Sequence, residues 1–244
     1  GGSVGLKGTD GVAAEAARLG AVRHSGDRAA AALKELLPFG EKLTVLCASG
    51  EMGESLVKGL GFPHVECVYE TGAETTSDDT KRAAQAMKDA DLLLFAGGDG
   101  TARDIFAALG DKAVAIGIPA GVKIHSPVYA IRPEAAGKLA LKYLEGRCRH
   151  TYEAEVVDID EAAYRDGRVS TSLYGYLTVP DERDYMQHGK APSPTSERAQ
   201  QCAIADEMID RLKPDTYYLV GPGSTTRTLM DELGLPDTLI GVDL

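Results

Sequence analysis

Short apolar runs alternate with helical segments between residues 43 and 145, and this alternation limits the possible folds more than any other feature of the chain. Four runs, at 43–48, 65–69, 92–96 and 113–118, are apolar except for Thr44 and Glu66, instead of alternating regularly between apolar and polar residues. Continuous apolar strands are typical of parallel sheets that are covered on both faces. We therefore expect an α/β fold whose N-terminal domain has a parallel sheet with helices on both faces.

Helix caps, glycines and prolines bound the segments that lie between and around these strands. The pattern predicts helices over residues 9–20, 28–37, 54–61, 75–90, 102–109 and 134–145.

The pattern changes near residue 148. Two later segments alternate apolar and polar residues like antiparallel strands, and an Asp-Gly turn signal lies between them. The sequence predicts strands at 152–159, 169–179 and 217–220, and helices at 196–212 and 226–233. We expect an α/β domain over residues 1–148 and a strand-rich second domain over residues 149–244. The chain starts without methionine and ends in a strand-like segment, so we expect the second domain to be incomplete at its C-terminus.

The composition excludes some classes of partner. The formal net charge is −11, which argues against a protein that binds the phosphate backbone of nucleic acids. No apolar run approaches the length of a membrane span. Four cysteines lie far apart with no C-x-x-C spacing, as expected for reduced thiols in a cytosolic protein. We expect a cytoplasmic homo-oligomer that binds neither nucleic acid nor membrane.

The segment that follows the 92–96 run carries the strongest chemical signal. Gly97, Gly98 and Gly100 would let backbone N–H groups approach a phosphate, and Thr101 would cap the next helix or bind a phosphate oxygen. Asp99 has the wrong charge for a simple phosphate cradle. It suits a group that takes a proton from a hydroxyl or holds a magnesium ion, although a tight turn has the same composition.

These residues carry a resemblance. The stretch G-G-D-G-T resembles the signature of the superfamily of NAD kinases, diacylglycerol and sphingosine kinases and, more distantly, phosphofructokinases. Residues 117–126, GIPAGVKIHS, and 221–227, GPGSTTR, resemble the NAD kinase loops that follow the next strand and line the dinucleotide site. With residues 5–11 and 173–177, the chain is most similar to the ATP-NAD kinase-like branch that includes the acetoin-catabolism protein X.

The resemblance implies a role for each matching residue. Asp99 corresponds to the proposed general base for the ribose 2′-hydroxyl, and we assign no residue as a direct metal ligand. The phosphoryl donor would be ATP or polyphosphate with Mg²⁺. The residues expected to bind substrate or nucleotide are Gly97, Gly98, Gly100, Thr101, Gly121, Lys123, Gly223, Ser224, Thr225 and Arg227.

Two departures from the family leave the phosphoryl acceptor open. The asparagine–acid pair of NAD kinases is absent, and Asp158 stands in the nearest stretch. The aromatic residue after the second-domain loop is replaced by Thr226 and Arg227, and Arg227 either binds phosphate or is a solvated helix residue. Lys123 and His125 would supply positive charge to phosphates, or are an ordinary surface lysine and a backbone-bonded histidine.

The sequence thus predicts an ATP-dependent phosphotransferase that converts NAD to NADP by phosphorylating the 2′-hydroxyl of the adenosine ribose. The ligands would be NAD and ATP. One alternative is a kinase for another hydroxyl, on a lipid or a small polyol. Another is a regulatory protein that binds nucleotide without turnover.

Overall fold

The computed structural model describes most of the chain. The described residues are 13–72, 74–121, 124–159, 171–182, 184–187, 201, 204–205, 207–213, 215–236 and 242. Those up to residue 187 belong to one compact unit, and those from residue 201 belong to a second. The domain boundary predicted at residue 148 stays a prediction.

The strands and helices follow the predicted order. The strands are β1 Val45–Ala48, β2 Val65–Tyr69, β3 Leu93–Gly97, β4 Ala115–Pro119, β5 Thr151–Ile159 and β6 Thr171–Pro180. The α-helices are α1 Ala13–Arg18, α2 Ser25–Lys34, α3 Glu54–Gly59, α4 Ser77–Ala86, α5 Asp99–Leu109, α6 Pro133–Leu144 and α7 Ser224–Leu233. Short 3₁₀ segments occupy Leu37–Lys42 and Gly50–Met52.

The strand pairing confirms the α/β fold class. β1 pairs with β2 and β3 pairs with β4, both in parallel. β5 and β6 form an antiparallel pair, and a bridge between Val114 and Thr178 joins it to the start of β4. α2 packs on β3 and β4, while α5 packs on β3 and on the β5–β6 pair. The parallel strands are therefore covered by helices, as their continuous apolar sequences predict.

The core lies between these helices and strands. β4 is the most deeply buried strand, because Ala115, Ile116 and Ile118 are almost fully excluded from solvent. α2 and α6 pack against each other, and Gly137 of α6 faces the carbonyl group of Ala32 in α2. The close approach of two helix backbones explains why glycine stands at residue 137.

Several boundaries differ from the predictions. α2 ends at Lys34 instead of continuing to residue 37, and a 3₁₀ segment contains Pro38. α5 begins at Asp99 and not at residue 102, and α7 begins at Ser224 and not at residue 226. Glycine precedes each of these two helices, so the first helical turn includes residues that the sequence pattern places in a loop.

The strand predicted at 217–220 is wrong. Of these residues only Val220 forms a bridge, and the others are irregular. Tyr217 and Leu219 are 88% and 76% exposed. These side chains therefore do not pack on the rest of the protein, as one face of a strand would.

Several predictions lie wholly or partly outside the described residues. The start of the first helix, the Asp166-Gly167 turn and the last strand-like segment are among them. Within the helix predicted at 196–212, residues 207–211 are helical. No helix in the described ranges is long and apolar enough to cross a bilayer.

A pair of glycine substitutions tests the packing of α2 on α6. A Cβ at Gly137 would overlap the carbonyl oxygen of Ala32, so Gly137→Ala should destabilise the protein by about 1–3 kcal/mol. Gly26 lies in α2 with no atom within 4 Å of an added Cβ, so Gly26→Ala should stabilise it by about 0.5–1 kcal/mol. Urea unfolding measures both, and a Gly137→Ala protein as stable as wild type would contradict this packing.

Candidate functional site

The candidate site lies where β3 and β4 end. Because the two strands are parallel, the segments that follow them meet at one edge of the sheet. We call residues 97–101 the aspartate segment and residues 120–126 the histidine segment; in the latter, 122 and 123 lie outside the described residues. The carbonyl oxygen of Gly97 accepts hydrogen bonds from the N–H groups of Ala120 at 2.9 Å and Gly121 at 3.0 Å.

Glycines let the backbones of the two segments touch. A Cβ on Gly121 would lie 2.9 Å from the Cα of Gly98, and one on Gly97 would overlap the side chain of Thr101. Gly100 differs, because a Cβ there would have no atom within 4 Å. Packing thus explains Gly97 and Gly121. A Cβ on Gly98 would make only an ordinary 3.5 Å contact with the Cα of Gly121, and one on Gly100 would border open space at the first turn of α5.

Asp99 is the first residue of α5 and its side chain joins the two segments. Its Oδ1 atom accepts hydrogen bonds from the N–H groups of His125 at 3.1 Å and Ser126 at 3.0 Å. Its Oδ2 atom accepts from the same His125 N–H at 3.0 Å. Burial alone would raise the pKa of Asp99, but the hydrogen bonds from His125 and Ser126 outweigh it and lower the pKa. Asp99 is therefore an ionised carboxylate held by backbone donors.

The imidazole of His125 completes the shell around this carboxylate. Its Nδ1 atom lies 3.2 Å from Asp99 Oδ2. The Asp99 side chain is 4% exposed, whereas that of His125 is 35% exposed. A molecule that enters the site would therefore meet the histidine ring before it met the carboxylate.

Ser126 fixes the histidine segment to the neighbouring strand. Its hydroxyl donates to the carbonyl oxygen of Val157 at 2.8 Å and accepts from the N–H of Val157 at 3.1 Å. Ser126 is fully buried, and it is bonded to Asp99 on one side and to β5 on the other. The position of His125 thus depends on two strands and one helix.

Tyr129 supports the aspartate segment through a hydrogen bond and a ring contact. Its hydroxyl donates to the carbonyl oxygen of Gly98 at 2.5 Å, and its ring meets Phe95 edge-on with centroids 5.4 Å apart. Burial raises the pKa of Tyr129 well above its ordinary value, and the Asp99 charge adds to the shift. The phenol therefore stays protonated and keeps donating.

Sequence reasoning missed Ser126 and Tyr129. Both lie in or beside the quoted GIPAGVKIHS stretch, next to an apolar run. A buried hydroxyl needs a hydrogen-bond partner, so a serine and a tyrosine next to apolar residues could have indicated buried hydrogen bonds at these two positions.

Two buried acids beside the site form ion pairs with basic side chains. Asp158 of β5 forms an ion pair with Arg103 at 3.3 Å, and Arg103 also lies over the ring of Tyr174. Asp104 of α5 forms an ion pair with Lys81 at 3.7 Å. Asp158 stands in the stretch of sequence nearest to the missing asparagine pair, and in the structure it follows Val157, the β5 residue that anchors Ser126.

The remaining predicted residues fall outside the described residues or belong to the second compact unit. Lys123 falls outside the described residues. Gly223 precedes α7 in the second compact unit, Ser224 and Thr225 form its first turn, and Arg227 is half-buried. These four residues thus share one helix start, as Asp99 and its neighbours do in the first unit.

Comparison with known families identifies the class of protein. The family model of the ATP-NAD kinase N-terminal domain matches residues 22–148, which is more than half of the 244 residues. The chain belongs to this NAD kinase family, and membership supports an ATP-dependent kinase that phosphorylates a hydroxyl group. Comparisons with curated proteins and with solved structures give no significant match.

The Asp99 bonds should contribute to stability in a pH-dependent way. The pKa of Asp99 is lowered, so its stabilising effect is present above its unfolded pKa of about 3.9 and is lost as the pH falls through the folded value. Asp99→Asn should lower the free energy of unfolding by about 1–3 kcal/mol at neutral pH, and this gap between the variant and wild type should narrow in acid.

Urea unfolding of both proteins at neutral pH and near pH 3 measures this gap. Asp27→Asn is the matched control, because Asp27 is an exposed acid in the first turn of α2. A gap that is the same at both pH values would contradict the hydrogen bonding described for Asp99.

Proposed function

We propose that the protein is a kinase that transfers the terminal phosphoryl group of ATP to the 2′-hydroxyl of the NAD adenosine ribose. The carrying observation is the buried, ionised Asp99, which joins two glycine-containing segments at the carboxyl edge of β3 and β4. Ligands of open parallel sheets collect at this edge. Membership of the NAD kinase family supports the same assignment.

The aspartate segment is suited to phosphate. α5 starts inside it, so the N–H groups of the first turn and the positive end of an eleven-residue helix face the edge of the sheet. Gly100 leaves open space there, which gives a phosphate oxygen room to approach the backbone. These donors would stabilise negative charge on the phosphoryl group during transfer.

The Asp99–His125 pair supplies the acid–base group that phosphoryl transfer to a hydroxyl needs. The pair lies beside the first turn of α5, so a hydroxyl that meets His125 would also lie near a phosphate held by that turn. The helix start that carries Gly223, Ser224, Thr225 and Arg227 would bind the dinucleotide, as the resemblance implies.

Mg²⁺ would accompany the nucleotide as part of the substrate. The described residues contain no group of three or more His, Cys, Asp or Glu side chains that would hold a metal ion. Both oxygens of Asp99 already accept N–H hydrogen bonds. A magnesium ion in such a site takes most of its ligands from phosphates and water.

An assay of NAD phosphorylation tests the proposal. Wild-type protein with ATP and Mg²⁺ should form NADP, and Asp99→Asn should lower kcat on the order of 10²–10⁴-fold because the acid–base pair is disrupted. Asp27→Asn should retain the wild-type rate. Equal rates for wild type and Asp99→Asn would contradict the role of Asp99.

The same assay with other acceptors separates the alternatives. Turnover of a lipid or polyol, with none of NAD, would keep the kinase class and replace the acceptor. Tight binding of NAD or ATP by calorimetry, with no product from any acceptor, would show a nucleotide-binding protein without turnover.

Gly100 provides a test of nucleotide binding that does not depend on catalysis. Gly100→Ala places a methyl group in open space at the second residue of α5, so the protein should fold normally while its affinity for a non-hydrolysable ATP analogue falls about tenfold or more. Gly26→Ala makes the same change at the second residue of α2 and should bind as wild type. Calorimetry measures both, and unchanged affinity of Gly100→Ala would place the phosphates elsewhere.

A further inference from the structure

The Asp99–His125 pair divides into a buried member and an accessible member. Asp99 is 4% exposed at its side chain, and its two oxygens accept the N–H groups of His125 and Ser126. The His125 side chain is 35% exposed, so its ring is the part of the pair that a substrate can reach.

The hydrogen bond between them determines the tautomer of the histidine. An ionised carboxylate only accepts hydrogen bonds, so the Nδ1–H group of His125 must donate a hydrogen bond to Asp99 Oδ2 across the 3.2 Å contact. A neutral imidazole with its proton on Nδ1 has a lone pair on Nε2. A buried aspartate that orients a histidine in this way is the arrangement used to activate hydroxyl groups in unrelated enzymes.

Asp99 itself is poorly placed to take a proton. Its oxygens are occupied by three backbone N–H bonds and the imidazole contact, all of which favour the ionised form. General bases work best with a pKa near the operating pH, whereas the pKa of Asp99 is lowered.

We propose that His125 Nε2 is the proton acceptor for the substrate hydroxyl and that Asp99 is the positioning residue that holds its ring. The inference rests on the proposed kinase function. In the transfer step the hydroxyl oxygen bonds to the γ-phosphorus of ATP, its O–H bond breaks, and the proton moves to Nε2. The bond between the γ-phosphorus and the bridging oxygen breaks, ADP leaves with that electron pair, and the imidazolium later releases its proton to water.

The backbone around His125 supports such a role. Its own N–H is bonded to Asp99, and the next residue, Ser126, is anchored to Val157 of β5 by two hydrogen bonds. The ring is therefore fixed at its base and oriented at Nδ1, which leaves Nε2 in a defined position.

Kinetics of two His125 variants distinguish proton transfer by His125 from a role in which its positive charge only binds phosphate. We expect His125→Gln and His125→Lys both to lower kcat on the order of 10²–10⁴-fold with KM changed less. His64→Gln, a change of an exposed histidine on a loop before β2, should behave as wild type. A His125→Lys enzyme with near wild-type kcat, or a His125→Gln enzyme within about threefold of wild type, would overturn the proposal.

The tautomer can be measured without any activity. Nitrogen-15 NMR of wild type should show the proton of His125 on Nδ1. In Asp99→Asn the amide oxygen would keep the backbone N–H bonds and the amide NH₂ would face Nδ1, so the proton should move to Nε2. A wild-type proton on Nε2, or an unchanged tautomer in Asp99→Asn, would overturn the pairing, even if wild type phosphorylates no acceptor and the kinase function itself fails.

Discussion

The hydrogen bonds between the Asp99 carboxylate and the backbone of residues 125–126 are the interaction on which the site depends. A buried carboxylate is costly unless hydrogen bonds replace its lost hydration, and here the N–H groups of His125 and Ser126 do so. The same bonds join the start of α5 to the segment after β4. The Asp99 carboxylate thus connects the two segments at the sheet edge that the proposed chemistry requires.

The rest of the site follows from how closely the two segments pack. Gly121 has no side chain that would separate the two backbones, and Gly97 leaves room for the side chain of Thr101. Tyr129 supports the aspartate segment through the carbonyl group of Gly98. Ser126 extends the connection to β5. The hydroxyl groups of Ser126 and Tyr129 have hydrogen-bond partners within the protein. Gly100 and the ring of His125, by contrast, face outward, where a substrate would bind.

Sequence reasoning predicted the strands and α-helices of the first unit, because strand burial and glycine spacing are local signals, and it singled out Asp99 as a candidate site residue. It placed the start of α5 three residues late, since glycines inside a helix turn look like a loop. It could not predict the bonds from Asp99 to residues 125–126, because they join positions that are distant along the chain. The strand predicted at 217–220 failed because its apolar residues are exposed instead of packed.

The central claim is that nucleotide binds at the edge where β3 and β4 end. Backbone amide NMR during titration with NAD and a non-hydrolysable ATP analogue tests it most directly. The account predicts that the largest shifts occur at the amides of residues 98–101 and 125–126. Saturating shifts elsewhere in the protein, with these amides unchanged, would contradict it.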